Sequence, residues 1–321
     1  MKSNPLISIL TPCYNARNFI RDVIDSVLQQ TYQNFEYILV DDGSKDPIKD
    51  IVDSYNSEKL KYYYTENGGP TRALNFATEH ASGEYLALLN HDDIWKPEKL
   101  EEQLAELEKR EAVWIASGCH RVNLFTGVVL ERFEGEGYFK NVFYDILEKK
   151  YLWSFSSVMI RKDVFVNAGM FTHDIWTMPD RLLYLKIAKT YPLAYLSKVL
   201  VIDRFHSTNI TAKTSIERML NDHAKLLNDA QAVDSNIPEN VIENSERMIN
   251  QTACIEYMRA NDFDGMRRML RLLKFDEHNI KFIPYRILSL LGDKTILIIM
   301  TNFRKLRRKI NPSKIYPEIE K

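Results

Sequence analysis

Residues 86–97 read LALLNHDDIWKP. An apolar run ends abruptly in Asn90, His91, Asp92 and Asp93. Adjacent carboxylates at a core edge repel each other and lose hydration unless a cation sits with them. Hard carboxylate oxygens suit Mg2+ or Mn2+, shared with a phosphate-bearing ligand. The plainer alternative is a solvated turn or helix cap. A second pair, Asp41-Asp42, follows the apolar FEYILV and opens the run Asp41-Asp42-Gly43-Ser44. A carboxylate there can accept from a ribose hydroxyl or a base N–H, although Asp, Gly and Ser are also ordinary turn residues. A third polar cluster, Thr11 to Asn15, follows LISIL. The chain has no GxxxxGK[ST] loop, so it is not a P-loop enzyme, and the absence of GxGxxG weakens a dinucleotide oxidoreductase.

These clusters need elements to hold them. LISIL, FEYILV, LKYYYT, EYLALLN and AVWIASG read as buried strands. NARNFIRDVIDSVLQQ, IKDIVDSYN, GPTRALNFATEHA and PEKLEEQLAELEKR read as the intervening helices, with Asn15 a candidate N-cap. Such alternation predicts an α/β fold with a mostly parallel sheet and helices on both faces. Ligands then sit beyond the carboxyl ends of strands, where all three clusters fall. From 120 to 210 the pattern is mixed: YFKNVFYDILEK reads as helix, WSFSSVMI as strand, DRLLYLKIAKT as helix and LAYLSKVLVIDRFH as extended chain. After 210 the pattern is almost purely helical. The expected domains are 1–212, made of a nucleotide-binding half (1–120) and an acceptor-binding half (121–212), and a helical region over 213–321.

Of the 321 residues 45% are hydrophobic and 27% charged, with a formal net charge of -1. That is ordinary globular composition, and no global field draws the chain to nucleic acid. Cys13, Cys119 and Cys254 are too scattered for a disulfide framework, which fits a reducing cytoplasm. The N-terminal run is not that of a signal peptide, and no stretch of 18 apolar residues predicts a membrane span.

ISILTPCYNARNFIRDVIDSVLQQTYQNFEYILVDDGSKD resembles the start of the family 2 glycosyltransferases, and ENGGPTRALNFATEHASGEYLALLNHDDIWKPEKLEEQL resembles the continuation carrying their DxD element. The resemblance is dense over residues 5–110 and loose over 150–210. It implies a GT-A (nucleotide-diphospho-sugar transferase, Rossmann-like) fold, a nucleotide-sugar donor and inversion at the anomeric carbon. By the same resemblance Thr11, Pro12, Tyr14 and Asn15 line the nucleoside pocket, Tyr14 against the base, and Asp42 accepts from the base N–H. Arg72 reaches the diphosphate, or is a helix-surface arginine. Asp92 stands near the ribose or metal, and Asp93 is the main ligand of Mn2+ or Mg2+. Asn90 replaces the first aspartate that many relatives carry, so less negative charge faces a cation.

The resemblance places the general base at Asp180, in TMPDRLLYLKIA, with Asp174 the runner-up. Pro179 puts Asp180 in a helix first turn, where an acid also suits the helix dipole. DRFHSTNIT resembles a loop closing over the diphosphate, with His206 on metal or phosphate and Arg204 neutralising charge. Trp153 and Trp176 flank the acceptor side as sugar-stacking or buried residues, and Trp95 belongs in the core.

In the tail, residues 294–314 hold Lys294, Arg304, Lys305, Arg307, Arg308, Lys309 and Lys314 and no acid. A basic, non-spanning amphipathic segment over 282–314 reads as a membrane-surface contact, suiting a polyprenyl-diphosphate-linked acceptor. Otherwise it is a solvated helix. The reading is a cytoplasm-facing glycosyltransferase (hexosyltransferase type) for bacterial surface polysaccharide, peripheral on the inner face of the membrane, with a UDP-sugar the default donor. Two alternatives stay open: a nucleotide-sugar-binding protein without turnover, and a sugar nucleotidyltransferase, which would want a Gly-rich basic loop where TPCYNARN stands.

Overall fold

The computed structural model describes residues 4–150, 153–177, 179–206, 215–273 and 282–310, with side chains to residue 302 in the last segment. The first apolar run forms β1 (Ile7–Cys13), buried along its whole length. It pairs in parallel with β2 (Phe35–Asp42) on one side and β4 (Tyr85–Leu88) on the other. β2 in turn pairs in parallel with β3 (Leu60–Thr65). β1, β2 and β4 are buried along their length and need no polar alternation, whereas β3, LKYYYT, is half-buried at the sheet edge.

The crossovers are α1 (Ile20–Leu28), α2 (Lys49–Ser54) and α3 (Pro70–His80). Ile20, Val23, Ile24 and Val27 make the buried stripe of α1 at i, i+3, i+4 and i+7. α1 starts five residues later than Asn15. That residue takes a left-handed conformation, φ 50°, and caps nothing.

Beyond β4 the sheet runs β9 (Met159–Arg161), β6 (Trp114–Asn123), β10 (Leu193–Phe205) and β5 (Ile94–Trp95). β7 (Val129–Phe133) pairs with β6, and β8 (Tyr138–Lys140) with β10. β9 lies antiparallel between β4 and β6, so the sheet is mixed α/β. The remaining helices of this part are α4 (Lys99–Arg110), α5 (Phe143–Leu147), α6 (Lys162–Asn167) and α7 (Pro179–Thr190).

Two segments depart from their expected form. In YFKNVFYDILEK only Phe143–Leu147 is helical, because Tyr138–Lys140 takes an edge against β10. Asn141 divides the two: its side chain accepts from the Phe143 N–H at 2.9 Å and donates to the Ala188 carbonyl at 2.8 Å. WSFSSVMI is strand only at its end. Its serines turn the chain into a 3-10 helix (Phe155–Ser157), with Ser157 Oγ donating to the Ser154 carbonyl at 2.7 Å.

Two compact units emerge, 1–146 with 151–206, and 147–150 with 207–321. The expected boundary at 212 falls among residues 207–214, outside those described. The second unit holds α8 (Ile216–Val233), α9 (Glu239–Arg259), α10 (Phe263–Leu272), α11 (Ile283–Ser289) and α12 (Asp293–Ile310). Its core gathers Cys254, Tyr257, Phe263, Met266, Phe282 and Ile296. Among the described residues no helix is long and apolar enough to cross a membrane.

Candidate active site

The carboxyl ends of β1, β2 and β4 lie side by side, and the three polar clusters meet there. β1 runs on through Cys13, so Thr11 and Pro12 are strand residues. Thr11 is fully buried with its hydroxyl 3.1 Å from that of Tyr37. Pro12 sits on the β4 side of β1, at a level where β4 has ended, so its missing N–H leaves no ladder bond unmade. Its carbonyl lies 3.1 Å from His91 Nδ1. Tyr14 is 45% exposed at the strand end.

Asn15 joins two loops: its N–H donates to Ser44 Oγ at 2.8 Å, and its side-chain oxygen accepts from the Lys45 N–H at 3.2 Å. The two aspartates ending β2 divide their work. Asp41 points inward and accepts from Ser44 N–H (3.0 Å), Ile48 N–H (3.3 Å) and Tyr62 hydroxyl (3.1 Å), which shapes the β2–α2 loop. Asp42 accepts from the Gly68 and Gly69 N–H groups, each at 2.8 Å, just before α3. Gly69 is the N-cap of α3, so its amide is one of the free donors of a helix start, and Gly68 precedes it. Arg72 is exposed on the first turn of α3.

The second pair also divides. Asp93 is 3% exposed and fully engaged. One oxygen accepts from the Arg204 N–H at 2.9 Å; the other accepts from the Ser156 hydroxyl and from Asn90 Nδ2 at 3.2 Å. Asn90 thus feeds Asp93 a hydrogen where an aspartate would add a like charge. Burial, then Asp203 and Asp92, push the Asp93 carboxyl well above the usual carboxylate range.

Asp92 takes a different partner: its Oδ2 lies 3.0 Å from His206 Nε2, and that ring stacks on Phe19 at 4.6 Å between centroids. Burial alone raises the Asp92 carboxyl. The hydrogen bond from His206 and the charges of His91 and His206 outweigh it, and the net direction is downward.

Arg204, expected at phosphate, is an internal brace. Its guanidinium donates to the Asp92 and Phe19 carbonyls and to Asp22 at 2.7 Å. The rest of DRFHSTNIT, from 207, lies outside the described residues.

In the segment expected to face the acceptor, Asp180 occupies the first turn of α7, half-buried after Pro179. Asp174 is exposed. Trp153 is buried edge-on to Trp114, and Trp176 lies half-buried against Gly69. Trp95 is a core residue donating to the Ser156 carbonyl at 2.8 Å. Sequence reasoning missed Ser156 and the Gly68-Gly69 amides. The sole signal for the latter was a Gly-Gly pair ahead of a helix-starting proline.

The donor set can be tested against a divalent ion. Asp92 Oδ2 and His206 Nε2, a hydrogen-bonded pair at 3.0 Å, are an oxygen and a nitrogen donor of the kind that hold a divalent ion. Among the described residues no group of three or more His, Cys, Asp or Glu is placed to hold a metal.

This is an α/β protein with a mixed sheet of GT-A type and a carboxylate–histidine site at its strand ends. The sequence profile of glycosyl transferase family 2 matches residues 8–166. An uncharacterized glycosyltransferase of Rickettsia prowazekii (strain Madrid E) is 33% identical over 221 residues, covering 66% of this chain and 68% of that one. The chain belongs to glycosyl transferase family 2.

A Rickettsia felis glycosyltransferase is 34% identical over 218 residues, but the match spans only 36% of its length. TuaG of Bacillus subtilis (strain 168), named for teichuronic acid biosynthesis, is 43% identical over 117 residues, 36% of this chain and 46% of TuaG. Among solved structures, Staphylococcus aureus TarS 1-349 with UDP-GlcNAc superposes with a TM-score of 0.59 at 18% identity, covering 84% of this chain and 93% of that one. The mannosyltransferase PcManGT of Pyrobaculum calidifontis, with GDP-Man and Mn2+, gives 0.56 at 15% identity over 94% and 80%. Both likenesses are of fold.

Proposed function

We propose that this chain transfers a sugar, with inversion, from a nucleotide-diphosphate donor, a UDP-sugar first, to a glycan or lipid-linked glycan acceptor. The observation that carries the reading is the Asp92–His206 pair at the end of β4, beside Tyr14, Asn15 and Asp42 on the ends of β1 and β2. Family membership and the nucleotide-sugar complexes of the structural neighbours support it.

Tyr14 offers an exposed ring for the base, with Thr11, Pro12 and Asn15 shaping the floor. Asp42 keeps lone pairs beyond those bound by Gly68 and Gly69 for a base N–H or ribose hydroxyl. Arg72, at the positive end of α3, meets the diphosphate. The geometry favours exchanging the roles expected of the two aspartates: Asp92 with His206 faces the cation, while Asp93 braces the loop from inside. Mn2+ or Mg2+ bound there would supply positive charge to the departing diphosphate.

The acceptor hydroxyl oxygen bonds to the anomeric carbon from the face opposite the nucleotide. Its proton passes to the Asp180 carboxylate, and the bond to the phosphate oxygen breaks with its electron pair leaving on the nucleoside diphosphate. The name of TuaG supports a bacterial surface polysaccharide as product. The reading includes a cytoplasmic site of action with a membrane-surface contact through 282–314. In its support, Ile287, Leu290 and Ile298 are exposed on α11 and α12 and at the turn between them.

Nucleotide release across a panel of UDP-, dTDP- and GDP-sugars, with and without Mn2+, tests this. Metal-dependent release from one donor, lost in Asp92→Ala, is the expected result. Nucleotide binding with no turnover on any acceptor would move the protein to the binding-protein reading.

A further inference from the structure

Between α6 and α7 the described residues 168–177 have no helix or strand of their own, yet they lead directly into Asp180. Phe171 packs on Phe165 of α6, and α3 holds the segment at three further points. Asn75 Nδ2 donates to the Phe171 carbonyl at 2.9 Å, and the Phe171 N–H donates back to Asn75 Oδ1 at 3.1 Å. One turn earlier, Thr71 Oγ1 lies 3.1 Å from His173 Nδ1. At the start of the helix, Trp176 packs where Gly69 has no side chain: a Cβ there would stand 2.8 Å from its ring. The same Gly69, with Gly68, donates to Asp42. A single helix therefore touches a carboxylate on the donor side at its start and holds the acceptor-side segment at three points.

We propose that the first two turns of α3 are the positioning element of the transfer reaction, with Asn75 its principal positioning residue. They hold Phe171–Trp176, and through that segment Asp180, in register with a donor held beside Asp42. The inference rests on the proposed transferase reading. A displacement of 1 Å at a reacting group costs on the order of 10²-fold in rate, so a loosened segment shows in turnover before it shows in donor affinity.

The test compares wild type with Asn75→Ala, His173→Leu and His173→Asn. It uses hydrolysis of the best donor of the panel, UDP binding by calorimetry, and amide hydrogen exchange of residues 169–177. Asn75→Ala is expected to lower kcat at least tenfold, leave donor KM and UDP Kd within about twofold, and speed exchange across the segment. His173→Leu shares the defect. His173→Asn, whose amide can replace Nδ1, restores most of the rate. Should Asn75→Ala not fold, Thr71→Val removes one bond with little change of shape and is expected to lower kcat severalfold. Wild-type kcat in these variants, or a loss confined to UDP affinity, overturns the proposal. A wild type that releases nucleotide from no donor sinks the transferase reading and this inference with it. An active wild type beside an unaltered Asn75→Ala sinks this inference alone.

Discussion

The Asp92 carboxylate and the His206 imidazole meet at 3.0 Å although 114 positions separate them. The pair joins the end of β4 to the end of β10, and both residues are almost completely buried. A carboxylate so placed needs a cationic or hydrogen-bonding partner. His206 supplies one, and a divalent ion shared by both would supply another. Asp92→Asn is expected to weaken Mn2+-dependent UDP binding by tenfold or more. His206→Phe, which keeps the stack on Phe19 and loses the ring nitrogen, should do the same more mildly. Calorimetric titration of UDP with and without Mn2+ reads both. A metal effect that survives in Asp92→Asn and vanishes in Asp93→Asn would restore Asp93 as the principal ligand.

Asp93 has a signature in stability instead. Its carboxyl is raised in the folded protein, above an unfolded value of about 3.9. The fold therefore favours the protonated form. Stability from this group is full below the unfolded pKa and is lost as pH rises toward and through the raised folded value. Asp93→Asn stays neutral throughout and lacks that slope. A constant offset of about 1 kcal/mol is expected where Asn90 Nδ2 loses its acceptor. Urea midpoints measured from pH 4 to 8 should thus fall with pH more steeply for wild type than for Asp93→Asn. Parallel curves would refute this placement of the charge.

Asp180→Asn isolates the chemical step. If Asp180 takes the acceptor proton, turnover should fall on the order of 10²–10⁴-fold. UDP affinity should not move, because the residue stands on α7 rather than at the ends of β1, β2 and β4. Asp174→Asn, on the exposed approach to that helix, should leave turnover within severalfold. A reversed order would give the base to Asp174.

Much of this was legible in the chain itself. The strands LISIL, FEYILV and EYLALLN are mostly apolar and buried, and each ends where a polar cluster begins. The position of the site beyond the strand ends follows from that pattern; the order β3-β2-β1-β4 does not. The division of labour within each aspartate pair was not legible, because adjacent identical residues at a strand end leave it in different directions. Asp41 and Asp93 meet backbone and hydroxyl donors, while Asp42 meets the Gly68 and Gly69 amides and Asp92 meets His206. Ser156 was hidden for a related reason: SFSS reads as strand by composition, and only its side-chain bonds make it a 3-10 turn under Asp93. Tyr138–Lys140 carries helix-compatible residues and becomes a strand because an open edge of β10 is there to pair with.

Gly69 provides the last prediction. Its φ of 89° lies in the region open to glycine, and a Cβ would press on the Trp176 ring at 2.8 Å. Gly69→Ala meets both penalties at once: φ 89° with ψ 162° is a region essentially confined to glycine and costs another residue on the order of 1–3 kcal/mol, and the ring must move. A fall of Tm by several degrees is expected in a domain this size. The displaced indole should also appear as a red-shifted, more quenchable tryptophan emission relative to Trp176→Phe in the same background. Trp176→Phe alone, which leaves Gly69 unstrained, should keep most of the stability. If Gly69→Ala melts with wild type and its emission is unchanged, Trp176 is not seated on this glycine and the contact at the start of α3 is wrong.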